Sequence, residues 1–208
     1  MKQEKSSSER NIINVIQSFQ KGEIVIIMDE NNREDEADLV LSAMHCTSEK
    51  MAFIIRHTCG IVCTPMSSQN AHRLGLHPMV LENESIHKTA FTVSVDSKHG
   101  ITTGISAYDR TYTVKNLANP KSTSDNFVRP GHIFPLISQD GGVLVRPGHT
   151  EASIDLCKIS GLPQISVICE LVNDDGTIKK GKQVDEFAKK HNLKIISVRD
   201  IITWHKNN

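Results

Sequence analysis

The chain has 208 residues, 38% apolar and 23% charged, with 24 basic side chains against 24 acidic ones. That is ordinary for a globular protein with room for one sizeable core. Zero net charge argues against a nucleic-acid or anionic-membrane surface, and no apolar run approaches the ~20 residues that span a bilayer. The polar residues 1–10 do not read as a secretory signal, so cytoplasm is the default expectation.

Residues 11–20 predict an amphipathic helix, with Ile12, Ile13, Val15, Ile16 and Phe19 sharing a face and Gly22 ending it. Residues 24–28 and 39–43 are short aliphatic runs that read as strands. Between them, six of the ten residues 29–38 are acidic. Such a loop is either a solvated charged turn or a place where a cation offsets the repulsion. Thr47 is placed to cap a helix over 48–57, with Glu49 in its first turn. A short strand at 61–63, a short helix around 71–74, a loop over 78–88 and a strand at 91–96 follow. Ser106 opens a helix to about 116. The runs 133–137 and 143–145 read as two strands split by Gln139-Asp140-Gly141-Gly142.

Thr150 opens a helix to about 160, ended by Gly161 and Pro163. Residues 165–172 form a buried strand. Val184, Phe187, Ala188 and His191 mark one face of a helix, 193–198 a last strand and 199–205 a closing helix. Interleaved elements without a linker predict one domain over 1–208, a layered α/β or α+β fold on a mixed sheet.

Several groups could carry chemistry. Arg129-Pro130-Gly131-His132 recurs as Arg146-Pro147-Gly148-His149, each copy delivering a cation, a rigid turn and a histidine. Two chance turns are the plain alternative. The second copy opens a helix, where free N–H groups and the dipole attract anions. Arg146 adds a planar fork for phosphate or carboxylate, and His149 offers a nitrogen to a metal. The pair would supply the acidic loop with a partner, since Mg2+ is held by one or two carboxylates with waters and substrate. Glu170 lies near the end of an apolar strand, at a sheet edge or facing a site. The five cysteines suit a reduced compartment; Cys59 and Cys63 are four apart, but no second pair completes a zinc set, so they read as ordinary buried thiols. Gly-x-Gly-x-x-Gly, Walker A, His-Glu-x-x-His and Gly-x-Ser-x-Gly motifs are absent.

Five stretches, in order, resemble the 3,4-dihydroxy-2-butanone 4-phosphate synthase family of riboflavin biosynthesis. They are Asp29 with Arg33-Glu34-Asp35-Glu36-Ala37-Asp38-Leu39, Phe91-Thr92-Val93-Ser94-Val95-Asp96, Thr102-Thr103-Gly104-Ile105-Ser106-Ala107-Tyr108-Asp109-Arg110, and the two Arg-Pro-Gly-His copies, the second continuing through Thr150-Glu151-Ala152. The resemblance implies a lyase that converts ribulose 5-phosphate to a four-carbon ketone phosphate and formate by enolisation, dehydration, rearrangement and loss of formate. It implies Mg2+ (with Mn2+ as the alternative) on Glu34 and His149, and Arg33 and Asp38 on the sugar. Arg146, Pro147, Gly148, His149 and Thr150 would hold substrate, with Arg146 and Thr150 toward the phosphate. His132 and Glu170 would be the acid/base pair, Glu170 also touching substrate.

The implied fold is a three-layer α/β/α sandwich on a mixed, mainly central sheet. The implied assembly is a homodimer with sites at the interface, binding no nucleic acid or membrane. The family's usual loop reads Arg-Glu-Asn-Glu-Gly-Asp; here Asp35 and Ala37 replace Asn and Gly, and Ala37 matters if that position needs positive φ. His87 is assigned no role. Some relatives carry a GTP cyclohydrolase II domain; ending soon after Trp204, this chain is expected to be the single-function form. Two other classes stay open: a sugar-phosphate isomerase or aldolase using the same enediolate without losing formate, and a non-catalytic phosphate-binding module.

Overall fold

The computed structural model describes residues 7–29 and 33–208. Among these, seven strands form one mixed sheet: β1 (Val25–Met28), β2 (Ala37–Ser42), β3 (Cys63–Met66), β4 (Val95–Ser97), β5 (Phe127–Ile137), β6 (Ser166–Glu170) and β7 (Lys194–Ser197). Their order is β4-β5-β3-β6-β2-β1-β7. β3 and β5 are parallel, as are β1 and β7, while β2 runs antiparallel to both β1 and β6.

Side chains alternate across a strand, and in the central strands both sets are apolar. Ile26, Leu39, Leu41, Val167 and Cys169 face one core, with α2 (Ser48–His57), α3 (Ser68–Arg73), α4 (Ala107–Ala118) and α6 (Lys182–His191) over it. Val25, Ile27, Val40, Cys63 and Ile168 face the other, covered by α1 (Ser7–Gln20), α5 (His149–Ile159) and α7 (Val198–Asn207). This is the expected three-layer α/β/α sandwich. It explains why the strands read as continuous aliphatic runs. In α1, Ile12, Val15 and Phe19 are buried at helical spacing. Thr47 caps α2 through its Oγ1, which accepts from the Lys50 N–H at 3.4 Å. Ser106 caps α4 likewise, accepting from Asp109 at 3.1 Å.

Three strand expectations are corrected. The strand expected at 61–63 instead begins at Cys63 and runs through Pro65. The strand expected over 91–96 is displaced toward its end: Phe91 and Thr92 make isolated bridges, and regular pairing begins at Val95, with an irregularity between Val95 and Asp96. Residues 143–145 are not a strand. Gly141 and Gly142 take positive φ, and Asp155 of α5 accepts the Val143 N–H at 2.8 Å. The segment coils into a 3-10 turn, Gly142–Leu144.

The loop question raised by Ala37 is also answered. Ala37 lies in β2, buried and paired with Met28, whereas the positive φ of 54° falls at Asp35. Aspartate tolerates that conformation better than most residues but still pays relative to glycine. Asp35→Gly is therefore expected to raise unfolding free energy by about 1 kcal/mol. Ala37→Gly, inside a strand, is expected to lower it by about 0.5–1 kcal/mol. Urea unfolding of both variants measures this; the opposite order of stabilities would refute the assignment.

Candidate active site

The β2–β6 register brings two stretches together. Asp38 lies opposite Glu170, at the edge of the layer that α5 covers. The first turn of α5 arrives over the same end, with Gly148 as N-cap and His149 as its first residue. Arg33, Glu34, Glu36, Asp38, Arg146, His149, Thr150 and Glu170 thus share one cleft with Cys63, Thr89, Phe91, Leu136 and Ile168. Pro147 and Gly148 form the turn into it. A side chain at Gly148 would press on the Arg33 and Arg146 guanidiniums, so that position needs to be small.

The charges are closely interlocked. Arg33 Nη1 bridges Asp29 at 2.7 Å and Glu34 at 2.6 Å. His149 Nδ1 stands 3.7 Å from Glu34 and 3.8 Å from Asp38. Burial opposes charge on Glu34, but His149 and Arg33 beside it hold its carboxyl down to about 2. Burial pushes Asp38 up to about 8, with Glu170 and Glu36 adding to the rise and His149 opposing it. Burial would lower His149, yet Asp38, Glu34 and Asp29 carry it up to about 9.

Two buried polar atoms, Asp38 Oδ1 and His149 Nε2, have no hydrogen-bond partner. Buried orphans of this kind carry a desolvation cost that a bound cation or polar ligand would offset. Asp29, Glu34 and His149 bring ligand atoms within 4.8 Å of one another. The 3.7 Å between Glu34 and His149 is within the span of two ligands on one ion with bonds of about 2.1 Å. The residues present fit a divalent cation.

Arg146 is committed within the protein. Its Nη1 meets Glu151 at 2.5 Å, Nη2 donates to Thr89 Oγ1 at 2.9 Å, and Nε and Nη2 both donate to the His87 carbonyl. It thereby ties down the loop carrying His87, whose Nε2 lies 3.8 Å from Glu34. His87, assigned no role from the sequence, is thus at the rim.

His132 is the candidate that this cleft does not include. It sits on β5 with its Nδ1 2.6 Å from Asp96, which also accepts the His132 N–H at 2.9 Å. Two strand spacings, about 10 Å, separate β5 from β6 and Glu170. Asp96 is the middle residue of β4 and had no role in the sequence reading; its place at the end of the alternating 91–96 run was the available signal. Gly104, at φ 95°, packs where a Cβ would collide with both Asp96 Oδ2 and His132 Nδ1. Gly104→Ala is therefore expected to break this pair and lower turnover by up to about 100-fold, as displacement of a reacting group by about 1 Å does. Steady-state kinetics on a variant with normal circular dichroism checks this; unchanged turnover would count against the pair.

The layers and the acidic, cation-competent cleft define the class: a three-layer α/β protein with a metal-ready site at the end of its sheet. Residues 13–204 match the family model for 3,4-dihydroxy-2-butanone 4-phosphate synthase. The chain is 47% identical over 193 residues to the 3,4-dihydroxy-2-butanone 4-phosphate synthase of Wolinella succinogenes, covering 93% of this chain and 55% of that protein. It is 48% identical over 192 residues to riboflavin biosynthesis protein RibBA of Bacillus subtilis, covering 92% of this chain and 48% of that one. The chain thus spans about half the length of these curated relatives. A crystal structure of 3,4-dihydroxy-2-butanone 4-phosphate synthase with two magnesium ions superposes with a TM-score of 0.92 at 39% identity, covering 95% of this chain and 97% of that one. The chain belongs to the 3,4-dihydroxy-2-butanone 4-phosphate synthase family.

Proposed function

We propose that the chain converts ribulose 5-phosphate to 3,4-dihydroxy-2-butanone 4-phosphate and formate. The convergence of Glu34, Asp38, His149 and Glu170 on one cleft, from three separate stretches of chain, carries this reading. Atoms balance without an oxidant or co-substrate: the five-carbon phosphate equals the four-carbon phosphate plus formic acid. Glu34 and His149 would hold Mg2+, the ion named with the superposing relative. When bound, the ion polarises the ketone and offsets enediolate charge.

The remaining work falls to the chain. Asp38 and Arg33 are placed to receive sugar hydroxyls, and Thr150 with the first turn of α5 to receive the phosphate. Arg146 holds Glu151 and the His87 loop in register around that turn. Glu170, part-buried at the cleft wall, handles one proton. His132 handles another through Nε2, because Asp96 engages its Nδ1. One mixed sheet running through the described residues supports a single domain. The five free cysteines support a reducing compartment and with it a cytoplasmic location. Among the described residues no helix is long and apolar enough to cross a membrane.

We infer a homodimer that brings His132 of one chain to the cleft of the other. His132 has 40% of its side chain exposed. The exposed apolar residues Ile105, Tyr108 and Tyr112 sit on and before α4, the two tyrosines stacked. Release of formate from ribulose 5-phosphate with Mg2+ tests the reaction. Turnover of the sugar phosphate without formate would favour the isomerase or aldolase class, and no turnover at all the binding module. Mixing inactive His132→Ala and Glu170→Ala chains tests the assembly. Heterodimers should regain one working site, and a mixture that stays inactive after subunit exchange would refute the shared site.

A further inference from the structure

Behind the cleft wall lies a pair of cysteines that the reaction does not use, within reach of Glu170. Cys59 Sγ donates to Glu170 Oε2 at 2.8 Å and stands 3.7 Å from Cys169 Sγ. The three residues bring ligand atoms within 4.8 Å of one another. The loop that carries Cys59 is pinned to the same strand, since the Cys59 N–H donates to the Glu170 carbonyl at 2.9 Å. Buried Arg110 donates from Nη1 to the Gly60 carbonyl at 3.0 Å, and its charge reaches Cys169. The contact with Cys59, burial and nearby Glu170 nonetheless hold the Cys169 thiol well above its usual range, so its proton leaves only as a metal binds.

We propose that Cys59, Cys169 and Glu170 form a second metal site, selective for thiophilic divalent ions of the zinc and cadmium type. Two thiolates on a tetrahedral ion with bonds of about 2.3 Å lie about 3.7–3.8 Å apart, and the thiols already stand at 3.7 Å. Thiolate and carboxylate oxygen would lie about 3.5 Å apart on the same ion, so Oε2 backs away by about 0.7 Å as the shared proton leaves. Hard Mg2+ avoids sulfur, and soft ligands select zinc-class metals, so the two sites sort their ions by chemistry. An ion here takes the Glu170 carboxylate out of the cleft and inhibits the enzyme without competing with Mg2+. That last consequence rests on the proposed role of Glu170; the binding itself does not.

The test is a Cd2+ titration of the reduced full-length protein in saturating Mg2+, followed by the ultraviolet thiolate-to-cadmium band. One Cd2+ per chain with the intensity of two thiolates is expected. Cys59→Ser should halve the band and weaken binding by at least the roughly 100-fold that loss of even an outer partner can cost. Because Cys59 is the exposed thiol of the five, blocking it with methyl methanethiosulfonate in the unmutated protein should give the same result without any question of folding. Zn2+ should suppress formate release in the unmutated enzyme and not in Cys59→Ser. A band that survives Cys59 blockage, that needs Cys63 instead, or that excess Mg2+ displaces would overturn the site. Normal Cd2+ binding with no effect of Zn2+ on formate release would overturn the inhibition alone.

Discussion

His132→Gln is expected to lower the rate of formate release by ~10²–10⁴, the usual contribution of a positioned acid or base. The fold should be unaffected, because the ring is part-exposed and outside both cores. Glu170→Gln should match it in size for the same reason. The two variants should separate in what else they change. Glu170 lines the cleft, so its loss should also alter the apparent affinity for ribulose 5-phosphate. In the proposed homodimer His132 reaches the cleft from the other chain to carry a proton, so its loss should act mainly on kcat and less on KM. Asp96→Asn should fall between the unmutated enzyme and His132→Gln. It keeps the shape but removes the carboxylate that orients the ring at 2.6 Å, and it should shift the pH profile of kcat. Substrate-saturated formate release and the pH profile measure all three. Full activity in His132→Gln would remove the residue from the mechanism.

The contrast between these two residues shows what the sequence could and could not convey. Helix caps were readable because they are local: Thr47 and Ser106 act within three residues of their own positions. The β2 and β6 cores were readable from aliphatic runs. That Asp38 faces Glu170 was not, because register is a relation between strands distant in sequence. The misread segment at 143–145 failed for a related reason: Asp155, twelve residues on, takes the N–H a strand would have paired. The motif pointed to Glu34 and His149 and included Asp29 but gave it no role, although Arg33 ties it to Glu34. Nor could it show that Arg146 is engaged by Glu151 and the His87 carbonyl. Positive φ was suspected at Ala37 because a glycine was missing there, while the backbone places it two residues earlier at Asp35.

Without metal, the protein should lose stability as pH rises from 6.5 to 9, and Mg2+ should restore most where the loss is greatest. His149 and Asp38 both hold protons more tightly folded than unfolded, so the folded state binds more protons and stability falls with rising pH. The contribution of His149 is complete below its ordinary 6.5 and lost as pH climbs through about 9. The cost of burying Asp38 starts above its ordinary 3.8 and is complete by about 8. Glu34 works in the other direction: its contribution is present above the ordinary 4.5 and lost as pH falls toward about 2. The metal-free protein should therefore be most stable between about pH 3.8 and 4.5, decline slowly through Asp38 above that, and decline more steeply once His149 joins above 6.5. A cation on Glu34 and His149 replaces the proton that His149 otherwise holds, so its binding strengthens with pH. At one hundred times its Kd it adds about 2.7 kcal/mol, or roughly 5–10 °C in Tm for a chain of this size. Thermal unfolding in EDTA and in Mg2+, across pH 5–9, measures both slopes. Glu34→Gln and His149→Ala should each abolish the Mg2+ shift. Asp38→Asn should leave a shift and raise metal-free stability at pH 8, because it removes the buried charge. A metal-free Tm that climbs between pH 6.5 and 9, or a Mg2+ shift that survives both ligand changes, would place the ion elsewhere.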